Sequence, residues 1–150
     1  MPLNRDFIGR SYPASAPFEV GREKIREFAD AIGDPNPVYR SAEAARALGH
    51  ADVIAPPTFA IVMAFRTSGA VVLDASLGLN YALVVHGEQR FIHHRPIRAG
   101  DVLIGTPTIV DIRDAGRNEL LTIQGEITTV DGEPVCTAVN TIVSRGTAAP

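Results

Sequence analysis

The sequence predicts an α+β fold in which a long antiparallel sheet wraps around one central apolar helix. Three observations carry this. The run Thr58-Phe59-Ala60-Ile61-Val62-Met63-Ala64-Phe65, continuing through Arg66-Thr67-Ser68-Gly69-Ala70, is apolar on every side, and a helix without a polar face is expected to be surrounded by protein. Further on, Leu121, Ile123 and Ile127 alternate with Thr122, Gln124, Glu126 and Thr128, the period of two that marks a sheet with one wet face. Asp114-Ala115-Gly116-Arg117 and Asp131-Gly132 are turn signals short enough to force antiparallel neighbours. Strands that follow the helix with no helices between them exclude a doubly wound parallel sheet.

The elements can be placed in order. From Gly21 to Ile32, Ile25, Phe28, Ala29 and Ile32 fall at i, i+3, i+4 and i+7, with Arg22, Glu23, Lys24, Arg26 and Glu27 around the other side; this is an amphipathic helix. Gly33-Asp34-Pro35-Asn36-Pro37 stops it, because each proline lacks an amide donor and restricts the residue before it. A short helix follows with Ser41 as its N-cap, ending at Gly49. Pro56-Pro57 precedes the apolar helix, and a strand is expected from about Ala82 to His94. The turn Arg98-Ala99-Gly100-Asp101 joins it to a meander, in which Val102, Ile104, Val110 and Ile112 are expected to share one face of a strand, and Val135, Val139 and Val143 one face of the last. Helix first, then a sheet long enough to curl around it, is the order of a hot-dog fold.

At 150 residues the chain is one domain's worth. The expected domain spans residues 1–146, with a frayed tail over residues 147–150. Thirteen of the fourteen basic residues are Arg, yet the net charge is −3 and no basic cluster forms, so neither nucleic acid nor an acidic membrane is an expected partner. The single Cys136 has no disulfide partner in the chain, and no C-x-x-C suggests zinc or dithiol chemistry. The N-terminus lacks the apolar core of a secretory signal, and Arg66 halts the longest apolar stretch; a cytoplasmic protein is expected. There is no phosphate-binding Gly-rich loop and no G-x-S-x-G nucleophile elbow.

Gly33-Asp34-Pro35-Asn36-Pro37-Val38-Tyr39, with Ala45 six residues on, resembles the signature of the MaoC-like family of (R)-specific enoyl-thioester hydratases and 3-hydroxyacyl-thioester dehydratases. The resemblance continues through Ile54-Ala55-Pro56-Pro57-Thr58-Phe59 and through Phe91-Ile92-His93-His94-Arg95-Pro96-Ile97-Arg98-Ala99-Gly100-Asp101. It implies a hot-dog fold, acyl thioesters of coenzyme A or acyl-carrier protein as substrates, and no cofactor. Family enzymes use an Asp and a His five residues apart; here the Asp is Asp34 and the His position holds Tyr39. A phenol with a reference pKa of about 10 is a poor base where imidazole titrates near about 6.5. Pro57 also stands where the family has a Gly whose amide donates to the thioester oxygen, so one donor is missing. Both departures resemble the His-lacking subunit of actinobacterial heterodimeric 3-hydroxyacyl-acyl-carrier-protein dehydratases. That implies a second hot-dog subunit carrying the Asp/His pair, with Asp34 retained here and Asn36, Tyr39, Thr58 and Phe59 at the substrate; a homodimer is expected when the chain is isolated.

The residues themselves leave other readings open. Asp34 suits a turn and Asn36 a cap without any ligand, while Tyr39 suits a half-buried core position. His93 and His94 are expected to point to opposite faces of a strand, and no metal-ligand spacing is present. His50, in the loop leading to the apolar helix, is the candidate substitute base for an autonomous hydratase. A non-enzymatic acyl-binding scaffold and a hot-dog thioesterase are the remaining alternatives.

Overall fold

The amphipathic segment forms α1 (Arg22–Ala31), with Ile25 and Ala29 wholly buried along one face, in a computed structural model that describes residues 1–150. Its end is Gly33 at φ +72°, the left-handed conformation that glycine enters without a side-chain clash. In α2 (Ala42–Ala47) the Ala44 amide donates to Ser41 Oγ at 3.1 Å, the cap expected there. A 3-10 turn over Pro57–Phe59 leads into α3 (Ala60–Val72).

Five strands, β1 (Phe18–Glu19), β2 (Val84–His93), β3 (Val102–Ala115), β4 (Asn118–Thr129) and β5 (Pro134–Ser144), form one antiparallel sheet in the order β1-β3-β4-β5-β2. The turn after β3 is tight, Ala115 pairing with Asn118 around Gly116 at φ +64°. β2 lies beside β5 and leaves its outer edge unpaired over ten residues, interrupted by a bulge between His86 and Glu88.

α3 crosses the inner face of the sheet and links two apolar clusters. Phe59, Ala60, Met63 and Ala64 belong to one, with Ile25, Leu103 and Ile127; Val71 belongs to the other, with Leu77, Ile109, Leu121 and Ile123. Between them the helix is held very close to the strands. Thr67 sits over Gly105 and Gly125, where added β-carbons would lie 1.8 Å from its Oγ1 and 2.9 Å from its Cγ2. Beside it, Ser68 bonds Asn140 of β5.

Four sequence expectations need correction. α3 is covered on its sheet side only: Phe65 is 61% and Leu73 82% exposed, so the apolar face away from the sheet has no cover within the chain. On β3 the buried row is Leu103, Ile109 and Ile112, while Val102 and Ile104 are half-buried and Val110 is exposed. A register shift between Ile109 and Asp111 changes the parity of the strand and lets Ile112 turn inward. On β5, Val139 and Val143 share a face, but it is the one away from α3; Ala138, Asn140 and Ile142 line the face toward it, and Val135 departs from the other two valines, being wholly buried in the core cluster. The tail is anchored further than expected, since Thr147 is buried and donates from Oγ1 to Glu119 Oε2 at 2.7 Å. Glu119, itself fully buried, also accepts from the Leu3 amide through both oxygens, so β4 fastens both ends of the chain.

The turn after β2 is fixed by charge. Arg95 makes paired bonds to Asp101, both at 2.9 Å, and to Glu133 at 2.8 and 3.1 Å. These hydrogen bonds raise the guanidinium pKa further and hold Glu133 below the ordinary carboxylate value. Asp101 is almost completely buried and also accepts from the Arg98 amide. Arg95→Met would strand that carboxylate, and a loss of about 2 kcal/mol is expected in urea unfolding. Adding Asp101→Asn should recover part of it; an unchanged midpoint for Arg95→Met would show that the pair contributes nothing.

Candidate active site

The segment after α1 is wound by its own side chains. The Asn36 amide donates to Asp34 Oδ1 and the Val38 amide to Asn36 Oδ1, both at 3.1 Å, two successive turns of the kind Asp and Asn favour. Arg40 ties the segment to α1, donating to the Asn36 carbonyl at 3.0 Å and to Asp30 Oδ1 at 2.7 Å. This winding turns Tyr39 inward, where it is only 8% exposed. Burial, and then the Asp34 charge, push the phenol above its ordinary value. Tyr39 therefore stays protonated at neutral pH and can donate a hydrogen bond, but it does not serve as a base.

Tyr39 lines a cavity of about 320 Å³ at the start of α3, with Ile54, Pro57, His93, His94 and Ile97 among its other walls. The helix entrance is poor in donors. Pro56 and Pro57 have no amide hydrogen, and the Phe59 amide is spent on the Pro56 carbonyl at 2.9 Å. The Thr58 amide is the first without an acceptor in the chain.

His93 and His94, which the alternation of a strand would separate, both reach this cavity. β2 ends at His93, and the turn toward Pro96 begins there. Their ring nitrogens still engage in different directions: His93 Nε2 meets the Pro57 carbonyl at 3.0 Å, and His94 Nε2 meets Thr137 Oγ1 at 3.4 Å. The nearby Pro96 was the signal that the strand, and with it the alternation, would stop here.

Of the residues expected at substrate, the structure places Tyr39 in the cavity wall and Asp34 close enough to act on its ionisation. Asn36 is exposed and caps the following turn. Thr58 is exposed at the helix entrance and is not part of the wall. Phe59 is wholly buried, its ring edge-on to Phe28 at 5.4 Å, so it serves the core and not the cavity. His50 follows α2, its amide bonded to the Ala45 carbonyl, and it is not brought to the cavity either. Cys136 is buried, and burial pushes its thiol up to about 11, which leaves it inert as a nucleophile.

An antiparallel sheet curled around one helix, with a cavity where that helix begins, defines a hot-dog protein. The chain belongs to the FAS1-like family, dehydratase domain region, whose model matches residues 6–138. It is 57% identical to a UPF0336 protein of Saccharopolyspora erythraea over 148 residues, covering 99% of this chain and 95% of that one. Among solved structures it is similar to the HadBC (3R-hydroxyacyl-ACP dehydratase) complex of Mycobacterium tuberculosis, with a TM-score of 0.83, 32% identity, and coverage of 94% of this chain and 99% of the matched one. A MaoC-like dehydratase aligns with a TM-score of 0.84 and 34% identity, covering 93% of this chain and 42% of that longer one. No helix is long and apolar enough to cross a membrane.

Proposed function

We propose that this chain is the substrate-holding subunit of a cytoplasmic (R)-specific 3-hydroxyacyl-thioester dehydratase in fatty-acid metabolism, with the His of the Asp/His pair supplied by a second hot-dog subunit. Dehydration breaks a C–H bond at C2 and the C–O bond at C3. It needs a base for the proton, an acid for the departing hydroxyl and donors for the enolate-like oxygen. The observation that carries the reading is Tyr39: the motif around it is intact, yet its phenol is pushed away from the range in which a base works. The poor supply of amides at Pro56-Pro57 supports the same reading. A partner is supported by the uncovered apolar face of α3, the unpaired edge of β2 and the similarity to a subunit of the HadBC complex. Acyl-CoA or acyl-carrier-protein thioesters are the substrates, and no cofactor takes part.

A second reading, an autonomous hydratase, draws on the presence of His93 and His94 in the same cavity as Tyr39. One experiment separates the two. The chain is purified alone and after co-expression with a hot-dog subunit that has the Asp/His motif intact, and hydration of crotonyl and longer enoyl thioesters is measured at steady state. The proposal expects turnover from the mixed complex and almost none from the chain alone. Robust turnover by the chain alone overturns it, and loss of that turnover in His93→Ala would establish the second reading.

A further inference from the structure

We infer that the free edge of β2 joins the β2 of a second copy of this chain, antiparallel about a two-fold axis at Gln89, and that Glu88 and Arg90 fix that register. The inference rests on the reading that a second hot-dog subunit covers this side of the molecule, and adds to it the pairing residues and the partner they select. β2 lies at the end of the sheet, so one side of its backbone has no strand beside it. The His94 amide donates to the Val135 carbonyl beyond the start of β5 at 2.9 Å. Antiparallel strands turn alternate residues toward a given neighbour. Glu88, Arg90 and Ile92, in step with His94, therefore bond β5, and Gln89 and Phe91 turn their backbone groups to the free edge.

Side chains on this strand sort by face. Glu88 stands opposite Thr141 and Arg90 opposite Val139, on the side of the sheet away from α3. Both are exposed, their β5 neighbours are uncharged, and neither makes an ion pair or a side-chain hydrogen bond within the chain. An acid and a base two residues apart are self-complementary when a strand runs antiparallel to its own copy. With the axis at Gln89, Glu88 of one copy faces Arg90 of the other, twice by symmetry. The two Gln89 residues then exchange both backbone hydrogen bonds, as their outward-turned groups require. Each Glu88–Arg90 pair falls at a position without backbone bonds, where facing side chains are closest.

Neighbouring registers lack this match. An axis at Glu88 sets two glutamates face to face and one at Arg90 sets two arginines, and like charges directly opposite repel. An axis at Phe91 sets Arg90 against Ile92. On its other side the edge is continuous with the uncovered face of α3, since the exposed Phe65 ring lies edge-on to His86 of β2 at 6.3 Å. A two-fold axis through the sheet keeps both copies of α3 on one side of it, so a single occupant answers both the free edge and the bare apolar face. A different subunit that takes the same edge must displace that copy, and it is matched to Glu88 and Arg90 only if it carries an acid and a base in the same order.

The test is sedimentation of the full chain, with native mass spectrometry of mixtures. The natural chain is expected to sediment as a dimer. Glu88→Arg and Arg90→Glu should each weaken self-association about tenfold or more, because two attractive pairs become repulsive. An equimolar mixture of these two variants should recover the natural affinity as a mixed dimer, since the bases of one face the acids of the other. The double variant, Glu88→Arg with Arg90→Glu, should pair with itself and not with the natural chain. Circular dichroism should be the same for all, as neither side chain is bonded within the chain. A monomeric natural chain overturns the inference, as do single variants that dimerise like the natural chain or a mixture that recovers nothing. None of these outcomes touches the dehydratase-subunit reading, which turnover of the mixed complex decides.

Discussion

Replacing Tyr39 by His and Pro57 by Gly together is expected to give the isolated chain measurable hydration of enoyl thioesters where the natural chain has almost none. Tyr39 stands inward beside Asp34 on a segment already wound by the Asp34 and Asn36 side chains. Tyr39→His therefore places an imidazole at the family's spacing without asking the backbone to move. Acid–base groups contribute roughly 10²–10⁴-fold to such reactions, and Tyr39→His alone should show only part of that. Pro57 still withholds an amide at the α3 entrance, and one missing oxyanion donor costs about 10²–10³-fold. Pro57→Gly restores the amide and keeps the carbonyl that His93 contacts. The double variant should exceed the single one by about tenfold or more, and Asp34→Asn in that background should remove the gain. Rates are read by absorbance loss of the enoyl thioester, with folding checked by circular dichroism. A folded double variant with nothing above the uncatalysed rate would show that the cavity cannot support hydration, and a scaffold role would then stand ahead of the dehydratase-subunit role.

Gly105→Ala is expected to be the most damaging single methyl group that can be added to this chain. Its β-carbon would lie 1.8 Å from Thr67 Oγ1 and 2.9 Å from the Thr67 Cβ and Cγ2. Thr67 has little room to yield, because its hydroxyl donates to the Met63 carbonyl at 2.6 Å and its methyl lies over Gly125. The helix must lift from β3 and β4, separating the two apolar clusters it joins. A destabilisation of about 3 kcal/mol is expected, a fall in Tm of about 10 °C for a domain of this size. Two controls isolate the cause. Thr67→Ala added to Gly105→Ala should recover most of the loss, and Gly69→Ala, on the same helix with open space around it, should be neutral or stabilising. A Tm within 2 °C of the natural protein for Gly105→Ala would refute the close approach.

The site was partly legible before the fold was known. A motif places Asp34 and Tyr39 in one short segment, and local turns built from that segment's own side chains hold them together. A residue at a helix entrance faces either cavity or core according to what packs beside it, and Phe59 faces the core because Phe28 of α1 packs against it. His93 and His94 were set apart by strand alternation, which ends where β2 ends.

By itself, the sequence determined what depends on near neighbours along the chain. The faces of α1, the Ser41 cap, the tight turns at Gly116 and Gly132 and the alternation of β4 all follow from residues within a few positions of one another. Tertiary structure decided what depends on distant segments meeting: the parity of β3 after its bulge, the depth at which Thr67 settles over Gly105 and Gly125, and the uncovered face of α3. The physical reason is that periodicity reports which side of an element is apolar. Whether that side is covered, and by which residue, depends on close packing and hydrogen bonding between elements far apart in the sequence.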